Sequence, residues 1–323
     1  MSQDLSSLGM AATDTVLSGY RALTEGCGVV DRSERGKLAL TGPDAKTFLQ
    51  GQVTNDVEGL EPGRGCYAAL LTHKGKMLGD LRVLDLGDEL LLDTERSALQ
   101  ELFNMIRRFK LGSDVELHKR TLEMGLLSLI GPDARKVAGA DALGRTEHDN
   151  ARAEIGGRHV VLVATDLGVD VFTQTADTDA VREALDAPVV PEEVAEIVRV
   201  ESGRPRYGVD LDDGVIPQEA GLNERAVSFT KGCYVGQETV ARLFYRGKPN
   251  RHLRGIELSS DASPGDELRL GAKVVGKLAS VVVSPTRGPI ALAIVRREAE
   301  PGAIVAVGEG AAPATVVALP FAE

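Results

Sequence analysis

The chain has 323 residues, 43% of them hydrophobic and 26% charged. That length exceeds one comfortable core and predicts two or three packed domains. With 48 acidic against 37 basic side chains the net charge is −11, which argues against direct binding to a nucleic-acid backbone, and no apolar run reaches the length of a membrane span.

Up to about Leu23 the chain is polar and weakly patterned. Short strands are predicted at Gly28–Val30 and Lys37–Leu40. Gly42-Pro43-Asp44-Ala45 then opens a helix carrying Phe48 and Leu49, which Gly51 ends. Tyr67–Leu71 and Met77–Leu86 read as strands joined by the turn His73-Lys74-Gly75-Lys76, and Glu89–Asp93 as another. Thr94 is placed as the cap of a helix from Glu95 to Phe109, with Leu99, Leu102, Phe103 and Ile106 on one face. Leu126–Ile130 runs into a second Gly-Pro-Asp-Ala, at 131–134. Two strand–GPDA–helix units suggest an internal duplication, although GPD is a common helix opener. Strands follow at Val160–Ala164 and Asp170–Thr173, and helices at Asp179–Leu185 and Pro191–Glu201. Beyond about Lys248, short β-rich segments alternate with Gly and Pro, which predicts a small barrel or sandwich and a boundary near 248–252.

Several chemistries are excluded by context. Gly63-Arg64-Gly65 enters a strand rather than a helix, which is wrong for a dinucleotide loop. Five scattered histidines and no Cys-x-x-Cys give no metal site. Cys27, Cys66 and Cys233 are odd in number and far apart, which argues against a disulfide framework and fits a reducing compartment. Met1–Thr15 has acidic Asp4 and Asp14 and no basic segment, so it does not read as a secretory signal. A cytoplasmic protein is expected.

The densest chemical signal is Lys231-Gly232-Cys233-Tyr234-Val235-Gly236-Gln237-Glu238. Two glycines let the backbone turn tightly around the cysteine, and Lys231 could favour the Cys233 thiolate if its side chain folds back. The alternative is a small buried cysteine in a turn. Arg242, Arg246, Lys248, Arg251 and Arg254 follow, with Phe244 and Tyr245 between them. They could form a solvated linker, or attract the glutamate tail of a folate, or RNA.

The octapeptide resembles the K-G-C-[FY]-x-G-Q-E motif of YgfZ-like proteins, and so does Phe48-Leu49-Gln50-Gly51-Gln52-Val53-Thr54-Asn55-Asp56-Val57 earlier in the chain. The wider superfamily contains the T-protein, the aminomethyltransferase of the glycine cleavage system. Arg199-Val200-Glu201-Ser202-Gly203, Tyr207-Gly208-Val209-Asp210 and Pro217-Gln218-Glu219-Ala220 are similar to its R-x-E-A-G, Y-G-x-D and P-x-E-A runs, and Gly75–Leu81 to its G-G-I-x-D-D-L, departing at Lys76 and Gly79.

The resemblance implies an α+β fold, a T-protein-like cloverleaf around a central channel with a C-terminal β-barrel. It places a folate-binding region at 1–248, with an inner module at about 55–150, and the barrel at 249–323. It implies tetrahydrofolate as cofactor, held by Glu201, Tyr67, Asp80, Asn55 and Tyr207, and a reactive patch of Lys231, Cys233 and Asp80. Glu201 would hydrogen-bond the pterin; the alternative is a plain surface-helix glutamate. Asp80 would polarise the reacting folate nitrogen; the alternative is an exposed hairpin aspartate. The function expected from the octapeptide is folate-dependent support of iron–sulfur cluster assembly or repair, with iron–sulfur client or assembly proteins as partners, among them tRNA-modifying enzymes. The alternatives are a one-carbon, aminomethyl-type transferase and a binding or scaffold protein that has lost folate affinity.

Overall fold

The computed structural model describes residues 3–321, with side chains from Asp14 onward. In chain order it begins α1 (Gln3–Glu25), β1 (Gly28–Asp31), β2 (Gly36–Thr41), α2 (Ala45–Gln50), β3 (Gly65–Leu71), β4 (Met77–Asp85), β5 (Leu90–Thr94), α3 (Leu99–Phe109) and β6 (Glu116–Lys119). Then come β7 (Met124–Ile130), α4 (Ala134–Val137), β8 (Asn150–Ile155), β9 (Arg158–Ala164), β10 (Gly168–Gln174), α5 (Thr178–Ala184) and α6 (Glu192–Glu201). The remainder is α7 (Asn223–Ala226), α8 (Gln237–Arg246) and the strands β11 (Arg251–Leu258), β12 (Glu267–Leu270), β13 (Lys273–Ser284), β14 (Gly288–Arg296), β15 (Ile304–Val307) and β16 (Ala312–Val317). The chain divides into two compact units, Met1–Glu34 with Leu122–Arg199, and Arg35–Thr121 with Val200–Glu323.

The first unit is built on an antiparallel sheet of order β1-β7-β10-β9-β8. Every residue of β7, an interior strand between β1 and β10, is buried, and Leu127, Leu129, Val169, Val171 and Leu162 form the core with Val181 of α5. The second unit contains a sheet of order β3-β4-β5-β2-β6. Leu38, Leu40, Val83 and Leu92 pack there against Leu49 of α2 and Leu102 and Ile106 of α3.

The two GPDA turns share one construction. Gly42 has φ 103° and Gly131 φ 124°. A Cβ at Gly42 would lie 2.3 Å from the Asp114 carbonyl oxygen, and one at Gly131 2.4 Å from that of Gly26. Each oxygen accepts the N–H of the aspartate two residues on, Asp44 or Asp133. Only glycine tolerates both the left-handed backbone and the close approach.

The second unit also holds a closed barrel, β11-β14-β13-β12-β15-β16. Closure rests on β11, where Ile256 pairs with Ala291 on one side and Val316 on the other. Small core residues such as Ala291, Ala293 and Ala314 keep the interior narrow enough for side chains to fill.

Some expectations fail locally. Thr94 does not cap a helix. It ends β5 opposite Gly36, and its hydroxyl donates to the Asp80 carbonyl. The helix starts at Leu99 behind Ala98, with no side-chain cap. The weakly patterned start is helical, with Tyr20 and Leu23 buried. Residues 242–246 are not a linker but the last half of α8, and Arg251 opens the barrel. Among the described residues no helix is long and apolar enough to cross a membrane.

Candidate functional site

The β3–β4 hairpin sets the geometry. Tyr67 pairs with Arg82 and Ala69 with Asp80, so Tyr67 and Asp80 are diagonal neighbours on one face of the ladder, within reach of a long side chain. The Tyr67 hydroxyl donates to Asp80 Oδ2 at 2.6 Å. Asp80 is buried, so it is not an exposed hairpin aspartate. Burial raises its pKa from 3.8 to about 6; the Tyr67 hydrogen bond opposes this, Glu95 adds to it, and Arg35 opposes it. Burial, the Asp80 charge and the bond to Asp80 push the Tyr67 phenol well above its ordinary value.

Beneath this pair lies an ion cluster. Asp93, fully buried, accepts from Arg35 Nη2 at 2.9 Å and from Arg82 Nε at 2.8 Å. Arg35 also donates to Glu95. Burial penalises the Asp93 charge, but the Arg35 and Arg82 guanidiniums outweigh that and hold its pKa at about 2. These cations were not singled out from the sequence. The alternation Asp80–Arg82 on a predicted buried strand, with Asp93 on the next one, is the signal that points to them. Arg225 was missed as well; its guanidinium lies 5.1 Å from the Tyr67 ring centroid.

Asn55 joins the same cluster through its side-chain amide, which donates to the carbonyls of Tyr67 at 2.8 Å and Arg225 at 3.1 Å. Lys231 reaches it from the octapeptide, but not as expected. Its ammonium donates to the carbonyls of Gln50, Val53 and Asn55 at 2.6, 2.8 and 2.7 Å. An ammonium has three donors, and all three are spent on this loop rather than on the Cys233 thiolate. Burial pulls the Lys231 pKa down to about 8, against the pull of Asp56, Cys66 and Glu58.

Cys233 is exposed, so it is not a buried turn cysteine. Its neighbours fix the loop. Tyr234 is buried, and Gly236 has φ 86°, where a Cβ would lie 2.5 Å from the Thr72 carbonyl oxygen. Cys66 is different: burial raises its thiol to about 12 against the Lys231 charge, which makes it inert at neutral pH.

Glu201 ends α6 and enters through other elements. It accepts from the Ser284 hydroxyl at the end of β13, so it is not a plain surface glutamate. Tyr207 packs in the same apolar cluster as Tyr67. Burial first, then Asp213, Asp212 and Asp80, raise its phenol. The other motif positions brace this segment. Asp210 accepts the N–H groups of Arg206 and Ser280, and Glu219 pairs bidentately with Arg251 at 3.0 and 2.7 Å. Among the described residues no group of three or more His, Cys, Asp or Glu gathers to hold a metal ion.

Comparison with known proteins gives a consistent picture. Residues 9–164 match the family model described as the GCVT N-terminal domain. An aminomethyltransferase of Rubrobacter xylanophilus is 31% identical over 94% of this chain and 85% of its own. One of Staphylococcus carnosus is 27% identical over 86% and 81%. The crystal structure of the glycine cleavage system aminomethyltransferase T of Bartonella henselae superposes with a TM-score of 0.85 at 22% identity, covering 95% of this chain and 90% of that one. The T-protein fold with a C-terminal β-barrel, expected from the resemblance, is therefore the fold found.

Proposed function

This chain belongs to the T-protein superfamily, and on that premise we propose that it binds tetrahydrofolate and transfers a one-carbon unit to it from an aminomethyl donor. The observation that carries the proposal is the bond of half-buried Tyr67 to buried Asp80, at 2.6 Å, in a chain that aligns over 94% of its length with an aminomethyltransferase. Tetrahydrofolate supplies the nitrogens that accept the one-carbon unit. A carboxyl poised near pH 6 can hold a proton or release it to such a nitrogen without leaving its range. Tyr67 fixes which Asp80 oxygen is bonded and leaves the other for a ligand. Glu201, oriented by Ser284, offers a carboxylate to the paired N–H donors of a pterin edge, a charge-assisted bidentate contact. Asn55 and Tyr207 shape the wall around Tyr67.

The names of the relatives favour this transferase reading over the iron–sulfur reading. One observation keeps the latter as a second reading: the octapeptide leaves Cys233 exposed, close in sequence to an exposed aromatic group. Phe229 stacks on Phe244 at 3.8 Å, and Phe244 and Tyr245 are 47% and 67% exposed. Aromatic residues and arginine are enriched where proteins meet, and a thiol beside such a surface suits an iron–sulfur client or assembly protein.

Both readings require folate binding, which calorimetric titration with tetrahydrofolate tests. Saturable binding by the native chain is expected, and Glu201→Ala should weaken it roughly ten- to a hundredfold, the loss of one charged hydrogen-bonding contact. Equal affinity in native chain and variant would remove Glu201 from the pocket. No binding by either would remove folate from the proposal.

A further inference from the structure

We propose that Lys231 is a positioning residue, a cationic pin that ties the octapeptide to the 50–55 loop and through Asn55 sets the Tyr67–Asp80 pair. The inference rests on the reading of Asp80 as the reacting carboxyl. It departs from a nucleophile-activating role for the lysine.

The geometry runs through four links. The Lys231 ammonium donates to the carbonyls of Gln50, Val53 and Asn55. The Asn55 amide donates to the Tyr67 carbonyl. Tyr67 donates through its hydroxyl to Asp80. Thr54, between two of the pinned carbonyls, bonds from its hydroxyl to the Ala226 carbonyl and accepts the Ala69 N–H on β3. The loop is thus laid against the strand that carries Tyr67, and Lys231 holds its other side.

The 50–55 carbonyls converge on one point, and only a cation with donors in three directions meets them all. Removing it leaves half-buried carbonyls without a donor, which costs more than the bonds themselves are worth. The Lys231 pKa of about 8 keeps the amine charged at neutral pH. Around it stand Asp56, Cys66 and Glu58, and the Tyr234 ring at 5.2 Å. Around Asp80 stand Tyr67, Glu95, Arg35 and Asp93, with Arg225 over Tyr67. Of these groups, Tyr67 is the one whose hydrogen bond to Asp80 depends on where the 50–55 loop holds β3. If the pin loosens, that bond weakens, and Asp80 loses the largest influence that keeps its proton affinity down.

The test is a carboxyl-carbon NMR titration of Asp80 in the full chain, assigned by comparison with Asp80→Asn. In Lys231→Met the Asp80 midpoint should rise by about one pH unit in the folded protein. Lys231→Arg keeps the charge, but its planar fork cannot aim at all three carbonyls, so it should give a smaller rise; it also serves if the methionine variant does not fold. A lysine that merely supports the fold would lower the urea midpoint and leave the Asp80 titration where it was. An unmoved Asp80 midpoint in the folded variants overturns the proposal. Failure of the Asp80 reading itself shows elsewhere, as full one-carbon transfer by Asp80→Asn, and the two failures are distinguishable.

Discussion

Asp80→Asn should withstand more urea than the native chain at pH 7.5 and no more than it at pH 4. The folded-state pKa of Asp80 is raised, from 3.8 to about 6. In the unfolded chain the group ionises near its ordinary value, so the native state holds the proton more tightly. Native stability linked to this group is therefore fully present below about 4 and is lost as pH rises through about 6. The gap, at 1.36 kcal/mol per pH unit, is about 3 kcal/mol. An asparagine of the same shape carries no charge to bury and can still accept from Tyr67, so it should recover most of that loss. Urea unfolding at the two pH values reads the effect. A variant less stable than the native chain at both would mean that the ionised Asp80 is fully compensated in the fold. The expected gain is what a functional carboxyl held in an unfavourable place produces, since such sites trade stability for reactivity.

Arg35→Met should do the opposite. Asp93 is fully buried and depends on Arg35 and Arg82. Removing one cation leaves a buried carboxylate half paired, at a cost of about 3–5 kcal/mol. Loss of Arg35 also leaves Glu95 with only Arg206, at 3.9 Å, as an ion-pair partner among the described residues. The Asp93 pKa is held down, from 3.8 to about 2, so its contribution is present above about 4 and is lost as pH falls towards 2. The variant should lose that acid-range slope as well as stability at neutral pH. Denaturant midpoints across pH 2–7 measure both. A change below about 0.5 kcal/mol at neutral pH would show that Arg82 alone suffices, as for an ordinary surface position.

The fold was legible where the chain is periodic. The strands expected at Glu89–Asp93 and Leu126–Ile130 fall on interior strands, β5 and β7, and their apolar runs are long enough to announce it. Strands with weak patterns were not seen. Glu267–Leu270 is half charged, and Glu116–Lys119 has exposed ends, a half-buried middle and no buried residue. Both pair because neighbouring strands supply the ladder, a tertiary effect that local propensity does not carry. The α8 helix was hidden because its arginines and aromatics read as a solvated stretch, although Val240 anchors it in the core.

In the site, Tyr67, Asp80 and Asn55 were legible from the resemblance, and their bonding was not. The diagonal pairing of Tyr67 with Asp80 needs the hairpin register, which one residue of slip would reverse. Lys231 shows the same limit. Only Gly232 separates it from Cys233 in sequence, yet its ammonium is satisfied by a loop some 180 residues away. Asp210 and Glu219 were read through a folate motif, and they prove to brace the chain against Ser280 and Arg251.

One-carbon transfer is measured by formation of methylenetetrahydrofolate when the purified full chain is mixed with tetrahydrofolate and an aminomethyl-loaded lipoyl carrier. Catalytic turnover by the native chain is expected, reduced about 10²–10⁴-fold in Asp80→Asn, the usual span for a lost general acid–base group. Folate binding without turnover, in a native chain whose Tyr67–Asp80 pair is intact, would contradict it and leave the exposed Cys233 surface as the functional end of the molecule.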